Sequence, residues 1–469
     1  MAETEHSIDL YAKREKIFPR EIKGTFQSMR AWSVYVLLGL YYGLPWLEWG
    51  ERQAVLFDLP ARKFHIFFLT FWPQDFIFLT LLLIMAALLL FFVTAVAGRV
   101  WCGFACPQTV WTELYVWIER WVEGSRAQQL ALDKAPWTRQ KLMKRVSKHV
   151  LWLLLSLFTG LTFVGYFQPI ETLFGAFFST ELVGWPLFWV LFYGFATYGN
   201  AGFMREQVCK YMCPYARFQS AMFDNYTLIV AYDEARGEPR HRGKKRADAA
   251  QNASGDCIDC GICVQVCPTG IDIRDGLQYE CIACAACIDG CNDVMQKVGL
   301  PGNLIQYSTQ NESHAHARTP WQRVLRPRIV IYASLLMALM LGFVSSLALR
   351  APFQVDILRD RNAFYRWSKE GDIENTYQVR IMNKSQAAQQ YRVSVTGLEG
   401  ITVRWVRGDC QSTSLAVPAG EIGDFSLVAS LSPEQPANRS QLIELIFEDI
   451  SSQDAVVEQT RFWTPSTPN

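Results

Sequence analysis

The 469-residue sequence has no glycine-rich phosphate loop, no dinucleotide fingerprint and no Ser-His-Asp candidate, which leaves nucleotide-driven and serine-hydrolase chemistry without support. It has almost no excess charge, a formal +1, and no basic stripe alternating with aromatics, so nucleic acid is not expected as a partner. A cleaved leader is not expected either, because the first thirty residues are charged and carry no small-residue cleavage site. The chain does have apolar matter, being 50% hydrophobic and 14% aromatic. That is too apolar for one soluble core, yet the mean hydropathy is only +0.06. Membrane spans mixed with soluble parts satisfy both observations.

Five stretches lack any charged side chain: Ala31–Leu47, Phe76–Ala97, Val150–Ile170, Leu182–Met204 and Ile329–Leu349. Each is read as a helix crossing a hydrocarbon layer of roughly 30 Å at ~1.5 Å per residue. The first is short and interrupted by Gly43 and Pro45, with Trp46 and Trp49 as interfacial anchors. Positive residues in short loops stay in the cytoplasm and set the orientation. Lys13, Arg14, Lys16, Arg20, Lys23 and Arg30 precede the first stretch, nine more lie from Arg99 to Lys148, and the loop holding Glu171 and Glu181 has none. The loop with Arg52, Arg62 and Lys63 fits less cleanly. The bias places the N-terminus inside and the C-terminus outside a bacterial inner membrane. Residues 1–30 are then a cytoplasmic segment, 31–204 hold four spans with a cytoplasmic loop at 98–149, 205–328 form a second cytoplasmic loop, 329–349 the fifth span, and 350–469 a periplasmic domain.

That last segment alternates apolar and polar residues in Tyr377–Ile381, Tyr391–Val395 and Leu442–Ile446, with Asn, Gly, Ser and Pro between, as strands of an immunoglobulin-like β-sandwich do. Its one cysteine, Cys410, excludes an internal disulfide and reads as a small packed residue.

The strongest chemical signal is Cys257-x2-Cys260-x2-Cys263-x3-Cys267-Pro268, followed by Cys281-x2-Cys284-x2-Cys287-x3-Cys291. This is the bacterial two-cluster ferredoxin pattern, in which the fourth cysteine of each run ligates the other cluster. One 4Fe-4S cluster is expected on Cys257, Cys260, Cys263 and Cys291, the other on Cys281, Cys284, Cys287 and Cys267, in a domain at about 250–300. Asn292 replaces the usual proline after the second run. Disulfides suit a reducing compartment poorly, and tandem runs at this spacing suit zinc less well than iron and sulfide.

A second pattern, C-x3-C-P, occurs at Cys102–Cys106–Pro107 and again 107 residues later at Cys209–Cys213–Pro214, each at the expected cytoplasmic end of a span. The i, i+4 spacing puts both sulfurs of a pair on one helix face. Proline starts a new helix at Pro107 and Pro214, which sets Cys106 and Cys213 at helix N-termini; there the dipole and Arg99, Arg205 and Lys210 lower the thiol pKa. Packing between helices is the plain alternative. Four such thiols make a soft site for copper, or a reversible disulfide fed by the clusters. Met204 and Met212 read as packing residues more readily than as thioether ligands. His314 and His316, before Arg318, read as solvated, and Lys244-Lys245-Arg246 as a solvated or lipid-facing run.

Trp101-Cys102-Gly103-Phe104-Ala105-Cys106-Pro107-Gln108-Thr109, the ferredoxin runs and the C-terminal β segment together resemble the CcoG/FixG/RdxA family of cytochrome c oxidase accessory proteins over nearly the full length. The C-x3-C-P and ferredoxin elements alone are also similar to quinol-oxidising membrane ferredoxins of NapH type. The resemblance implies a polytopic α-helical membrane protein of about five transmembrane helices with an inserted two-cluster ferredoxin domain and a C-terminal immunoglobulin-like β-sandwich. It further implies a cupric reductase that turns Cu(II) into Cu(I) for maturation of a cbb(3)-type oxidase, with copper-trafficking or oxidase-assembly proteins as partners; the copper is expected on the soft thiols of Cys102, Cys106, Cys209 and Cys213. A NapH-like electron-transfer subunit and a non-catalytic assembly scaffold are the rival expectations. The electron donor and the oligomeric state are not legible in the sequence.

Overall fold

The computed structural model describes residues 16–50, 52–241, 255–310, 325–360, 363–406, 414–433 and 439–465. Lys13, Arg14, Lys244-Lys245-Arg246, His314, His316, Arg318 and Cys410 lie outside the described residues. The chain forms two compact units, one of residues 1–62 and 76–341, the other of 63–75 and 342–469.

In the first unit α1 (Thr25–Gly43) starts without a side-chain cap of its own. Asp289 supplies one, accepting the backbone N–H of Gln27 at 2.7 Å and of Phe26 at 3.4 Å, which also sets a negative charge at the positive end of the helix. Gly24 permits the approach, because a Cβ there would sit 2.2 Å from the Asp289 carboxyl carbon. The helix ends where Pro45 enters a short 3-10 turn, Leu44–Trp46. An unbroken apolar run makes α2 (Phe76–Ala97), and Gly98, at φ 56°, closes it in the left-handed conformation. After α3 (Val100–Phe104), α4 (Pro107–Glu123) and α5 (Arg126–Lys134) comes α6 (Arg139–Val164), whose first turn is capped by Thr138. It is followed by α7 (Ile170–Phe178) and α8 (Trp185–Thr197). A Cβ at Gly160 of α6 would come within 2.3 Å of the Val190 carbonyl oxygen of α8, so these helices touch backbone to backbone, the close approach that small residues give in membranes.

Three helices among the described residues are long and apolar enough to cross a membrane: Pro73–Ala97, Arg139–Val164 and Pro327–Ala348. Three of the five expected spans, the second, third and fifth, thus correspond to helices long and apolar enough to cross, and the count of five is not confirmed. Two apolar stretches behave otherwise for visible reasons. The helix over the first begins before it and carries the buried Arg30 in its body. The fourth is α-helical only to Thr197 and continues as a wider π-helical stretch, Tyr198–Met204. The third starts eleven residues before Val150, at Arg139, and ends short of Ile170, which opens α7.

A buried ionic network ties these helices together. Glu119 of α4 accepts from Arg205 at 2.8 Å and from Lys148 and Lys16 at 3.3 Å, while Glu123 meets Lys148 at 2.7 Å and Arg145 at 3.1 Å. The ferredoxin part of the unit includes an antiparallel strand pair, Ile229–Tyr232 with Ile305–Ser308, and the helices Ile262–Gln265 and Ala286–Val298.

The second unit is a sandwich of antiparallel sheets. One has the order Thr402–Val406, Ile422–Leu431, Ile373–Asn383, Phe353–Arg359, with Arg366–Trp367 on Ile373–Asn383; the other has Ser414–Val417, Gln389–Thr396, Ser440–Asp449, Ala455–Trp463. Alternate residues point inward, so that Tyr377, Ile381, Tyr391, Leu427, Phe447 and Phe462 meet in one core. The hairpin Lys63–Ile66 with Leu69–Phe71 belongs to this unit, where Asp75 pairs with Arg350 and, at 3.2 Å, with Lys384.

Candidate functional site

The two ferredoxin runs fold alike. The residues on either side of the middle cysteine of the first, Asp259 and Gly261, have φ of 48° and 63°; those of the second, Ala283 and Ala285, have 52° and 60°. Only glycine takes this region freely, and each of the other three is held there at a cost of order 1–3 kcal/mol. The alternating hand turns successive N–H groups toward the inside of the loop, a concavity suited to an anionic group such as an iron-sulfur cluster. Ala283 and Ala286 direct backbone N–H groups at the sulfurs of Cys281 and Cys284.

The cysteines of the two runs line two small separate cavities. Cys257, Cys260, Cys263 and Cys291 line one; Cys267, Cys281, Cys284 and Cys287 line the other, which Cys263 also borders. Helix Ala286–Val298 thus carries Cys291 to the cavity of the first run. Burial pushes the thiols of Cys281 and Cys291 up to about 12 and that of Cys263 to about 11. Thiolates in such surroundings need the positive charge of bound iron. Among the described residues no three His, Cys, Asp or Glu side chains are grouped to hold a single metal ion. A cubane distributes its thiolates over four irons, and four sulfurs with inward N–H groups fit one in each cavity.

The C-x3-C-P pairs share a second local geometry. Cys106 and Cys213 each occupy the N-cap position of a helix opened by proline, α4 in one case and α9 (Pro214–Met222) in the other. The N–H of Cys106 reaches back to the Trp101 carbonyl at 2.9 Å and that of Cys213 to the Val208 carbonyl at 2.8 Å, five residues in both motifs. The pairs are therefore not on one α-helix face, as i, i+4 spacing alone implies. A break separates Cys102 on α3 from Cys106, and Cys209 lies in a π-helical stretch, Val208–Met212. All four thiols are within electrostatic reach of one another.

The fall in thiol pKa expected at Cys106 is reversed. Burial pushes Cys102 up to about 11 and Cys209 to about 12, and raises Cys106. Arg99 opposes the shift but is itself buried, and it donates to Gln219 at 2.9 Å and to the Tyr279 carbonyl. Of the two methionines, Met204 is half-buried and Met212 largely exposed.

The structure also brings the pairs against the second ferredoxin run. Cys102, Ile282 and Cys284 are buried in one apolar cluster against which Cys209 and Cys287 pack. Gly103 makes that contact possible: a Cβ on it would lie 2.8 Å from the Cys284 Cα and from the Ile282 carbonyl oxygen. Gly103→Ala is expected to cost ~1–3 kcal/mol through this overlap, read as a lower melting temperature in detergent with iron content retained. An unchanged melting temperature would show that the backbone yields here freely.

Sequence reasoning missed the side chains that hold the pairs in place. Gln108 donates to the Asn200 carbonyl at 2.9 Å and the Arg205 carbonyl at 3.2 Å, so α4 grips the segment before the second pair. Thr109 bonds the Cys102 carbonyl at 2.5 Å, and the Cys102 thiol donates to Gln219 at 3.4 Å. The buried pair Arg30–Glu113, at 2.7 Å, stands beside Cys284. Gln108 and Thr109 have no sequence signature beyond following the first C-x3-C-P motif, and Arg30, Glu113 and Gln219 have none.

Three regions match family models: residues 78–124 a 4Fe-4S binding domain, 204–310 a 4Fe-4S dicluster domain, and 343–465 the immunoglobulin-like fold at the C-terminus of FixG. The first of these contains Cys102 and Cys106, the second Cys209, Cys213 and the ferredoxin runs. The chain is 37% identical to the nitrogen fixation protein FixG of Rhizobium meliloti, over 97% of its own length and 94% of that protein's. It is 41% identical to the protein RdxB of Cereibacter sphaeroides, over 97% of each. Similarity to the ferredoxin-type protein NapH of Haemophilus influenzae is lower, 26% over 46% of this chain and 68% of that one.

Proposed function

This chain belongs to the family of FixG and RdxB, and from that premise we propose that it reduces Cu(II) to Cu(I) on Cys102, Cys106, Cys209 and Cys213 for the maturation of a cbb(3)-type cytochrome c oxidase. It is a membrane iron-sulfur electron-transfer protein with 4Fe-4S binding domains and an immunoglobulin-like C-terminal domain. The observation that carries the finer reading is the shared apolar cluster of Cys102, Cys209, Cys284 and Cys287.

In this reading Cys257, Cys260, Cys263 and Cys291 hold one cluster, and Cys267, Cys281, Cys284 and Cys287 the other. Bound there, the clusters supply one-electron transfer. Cys102 and Cys209 pack in the same apolar cluster as Cys284 and Cys287 of the second set. The soft thiols favour Cu(I) over Cu(II), which stabilises the product of a one-electron reduction. Their raised pKa keeps them protonated until copper displaces the protons, so copper capture releases acid. The topology proposed is five spans with the N-terminus and ferredoxin loop inside. The compact unit that joins residues 63–75 to 342–469 supports it, since both segments are then on the outer side.

Anaerobically purified protein, supplied with Cu(II) and a Cu(I) indicator, tests the site. Alanine at any one of the four cysteines is expected to lower the reduction rate at least ~10-fold with iron content retained. Normal rates and copper binding in all four variants would sink the assignment. The similarity to the ferredoxin-type protein NapH spans about half of this chain, and electron transfer from quinol is the rival reading. Cluster reduction by quinol that copper leaves unaffected would select it.

A further inference from the structure

The two sets of cluster ligands differ in their access to water. Of the eight cysteines Cys260, in the first set, is exposed; in the second, Cys284 is buried and Cys267, Cys281 and Cys287 are partly buried. Taking up an electron adds one negative charge among thiolates, and burial penalises that charge. The penalty falls hardest on the second set.

A buried cation stands where it can offset this. Arg30 is buried and, with Ile282 and Ala286 of the second run, lines one small cavity. Its guanidinium donates to Glu113 at 2.7 Å and to Gln27 at 3.2 Å, which fixes where the charge lies. Helix α1 brings it there, because Asp289, two residues after Cys287, caps that helix. The Arg30–Glu113 pair is neutral as a whole but not at the sulfur. At Cys284 the pull of Arg30 outweighs the push of Glu113. Arg99 also acts on Cys281, but ranks behind the thiols around it. The first set has a cation of its own, Arg274 beside Cys263, yet two carboxylates hold it, Asp272 at 2.6 Å and Asp259 at 2.8 Å.

We propose that Arg30 is a positioning residue for electron transfer, whose buried charge raises the reduction potential of the second cluster and so lets it accept electrons from the first. The inference rests on the electron-transfer reading and names the residue that favours its direction. One electron leaves the first cluster, which is oxidised, and enters the second, which is reduced; no proton moves and no bond breaks. Arg30 acts through the second cluster and touches neither copper nor the C-x3-C-P thiols.

The test titrates the full-length protein, purified anaerobically in detergent, with dithionite through redox mediators under electron paramagnetic resonance. Two midpoints are expected. Arg30→Gln should lower one, that of the centre which Cys291→Ala retains, by the equivalent of at least ~10-fold in electron exchange between the centres, about 59 mV for one electron. The other midpoint and the iron content should stay in place. Glu113→Gln should raise the same midpoint, and Arg30→Lys should hold it near the wild-type value. Opposite signs are diagnostic, because damage to packing moves the midpoint the same way in both variants. The double variant Arg30→Gln/Glu113→Gln leaves no member of the pair charged and serves where a single one does not fold; it should still lower the midpoint. Midpoints unmoved in all of these, shifts of one sign in both single variants, or equal shifts in both centres would overturn the proposal. Cu(II) reduction with unmoved midpoints would refute the role of Arg30 and spare the copper reading. Midpoints that move as stated in a protein that cannot reduce Cu(II) would do the opposite.

Discussion

Replacing Cys291 with alanine is expected to remove iron from the first ferredoxin run while the second keeps its own. Cys291 belongs to the second run in sequence but lines the cavity of Cys257, Cys260 and Cys263, to which the helix Ala286–Val298 carries it. The purified variant should hold about four iron and four sulfide atoms per chain in place of about eight of each. Cys267→Ala should give the same count by emptying the other cavity. Electron paramagnetic resonance of the reduced proteins separates the two, because interaction between paired clusters is lost in both and a different single centre remains in each. Both variants should also melt lower, since a cluster held only by the folded state stabilises it. A Cys291→Ala protein that keeps the spectrum of the first centre and loses the second would reverse the ligand assignment.

The second large effect is expected at Glu119. This carboxylate is 1% exposed and faces three cations, Arg205, Lys148 and Lys16. Burial pushes its pKa up, but Arg205 with Lys16 and Lys148 outweighs that and holds it at about 2, below the ordinary 4.5. Removing it in Glu119→Ala leaves Arg205 and Lys148 buried with one partner fewer, a loss of ~3–5 kcal/mol for a broken buried pair. Arg205 sits between the two π-helical stretches, so the second C-x3-C-P segment should loosen first. Pulse proteolysis in detergent checks this through faster cleavage near residues 198–212. The pH dependence follows from the depressed pKa: the contribution is complete above about 4.5 and is lost as pH falls toward 2, where the carboxylate protonates. A Glu119→Ala protein as stable as wild type, or one whose stability deficit persists unchanged at pH 2, would contradict the account.

Much of the architecture is written in short-range patterns. Alternation in Tyr377–Ile381 marks an inward and an outward face within five residues, and the sandwich uses that alternation. The apolar run Phe76–Ala97 coincides with α2, because a helix needs no partner elsewhere in the chain to satisfy its backbone. Pro107 and Pro214 mark helix starts for an equally local reason. Local rules failed where a distant group intervened. Arg30 belongs to the body of α1 because Glu113, 83 residues on, neutralises it. The thiols of Cys102 and Cys209 rise in pKa because the second ferredoxin run buries them, which outweighs the nearby cations. The hairpin at 63–75, ambiguous by its charges, joined the β unit through Asp75 with Arg350 and Lys384.

The sequence by itself determined that the chain carries iron-sulfur clusters and apolar helices, since thiolate spacing sets the reach of four ligands around a cubane and hydropathy sets a preference for lipid. Only the tertiary structure decided what those ligands stand beside. The packing of Cys102 and Cys209 on Cys284 and Cys287, and the closeness that Gly103 allows, join positions 75 to 185 residues apart. Such contacts arise from side-chain volume and charge meeting in space, and no spacing within a single motif encodes them.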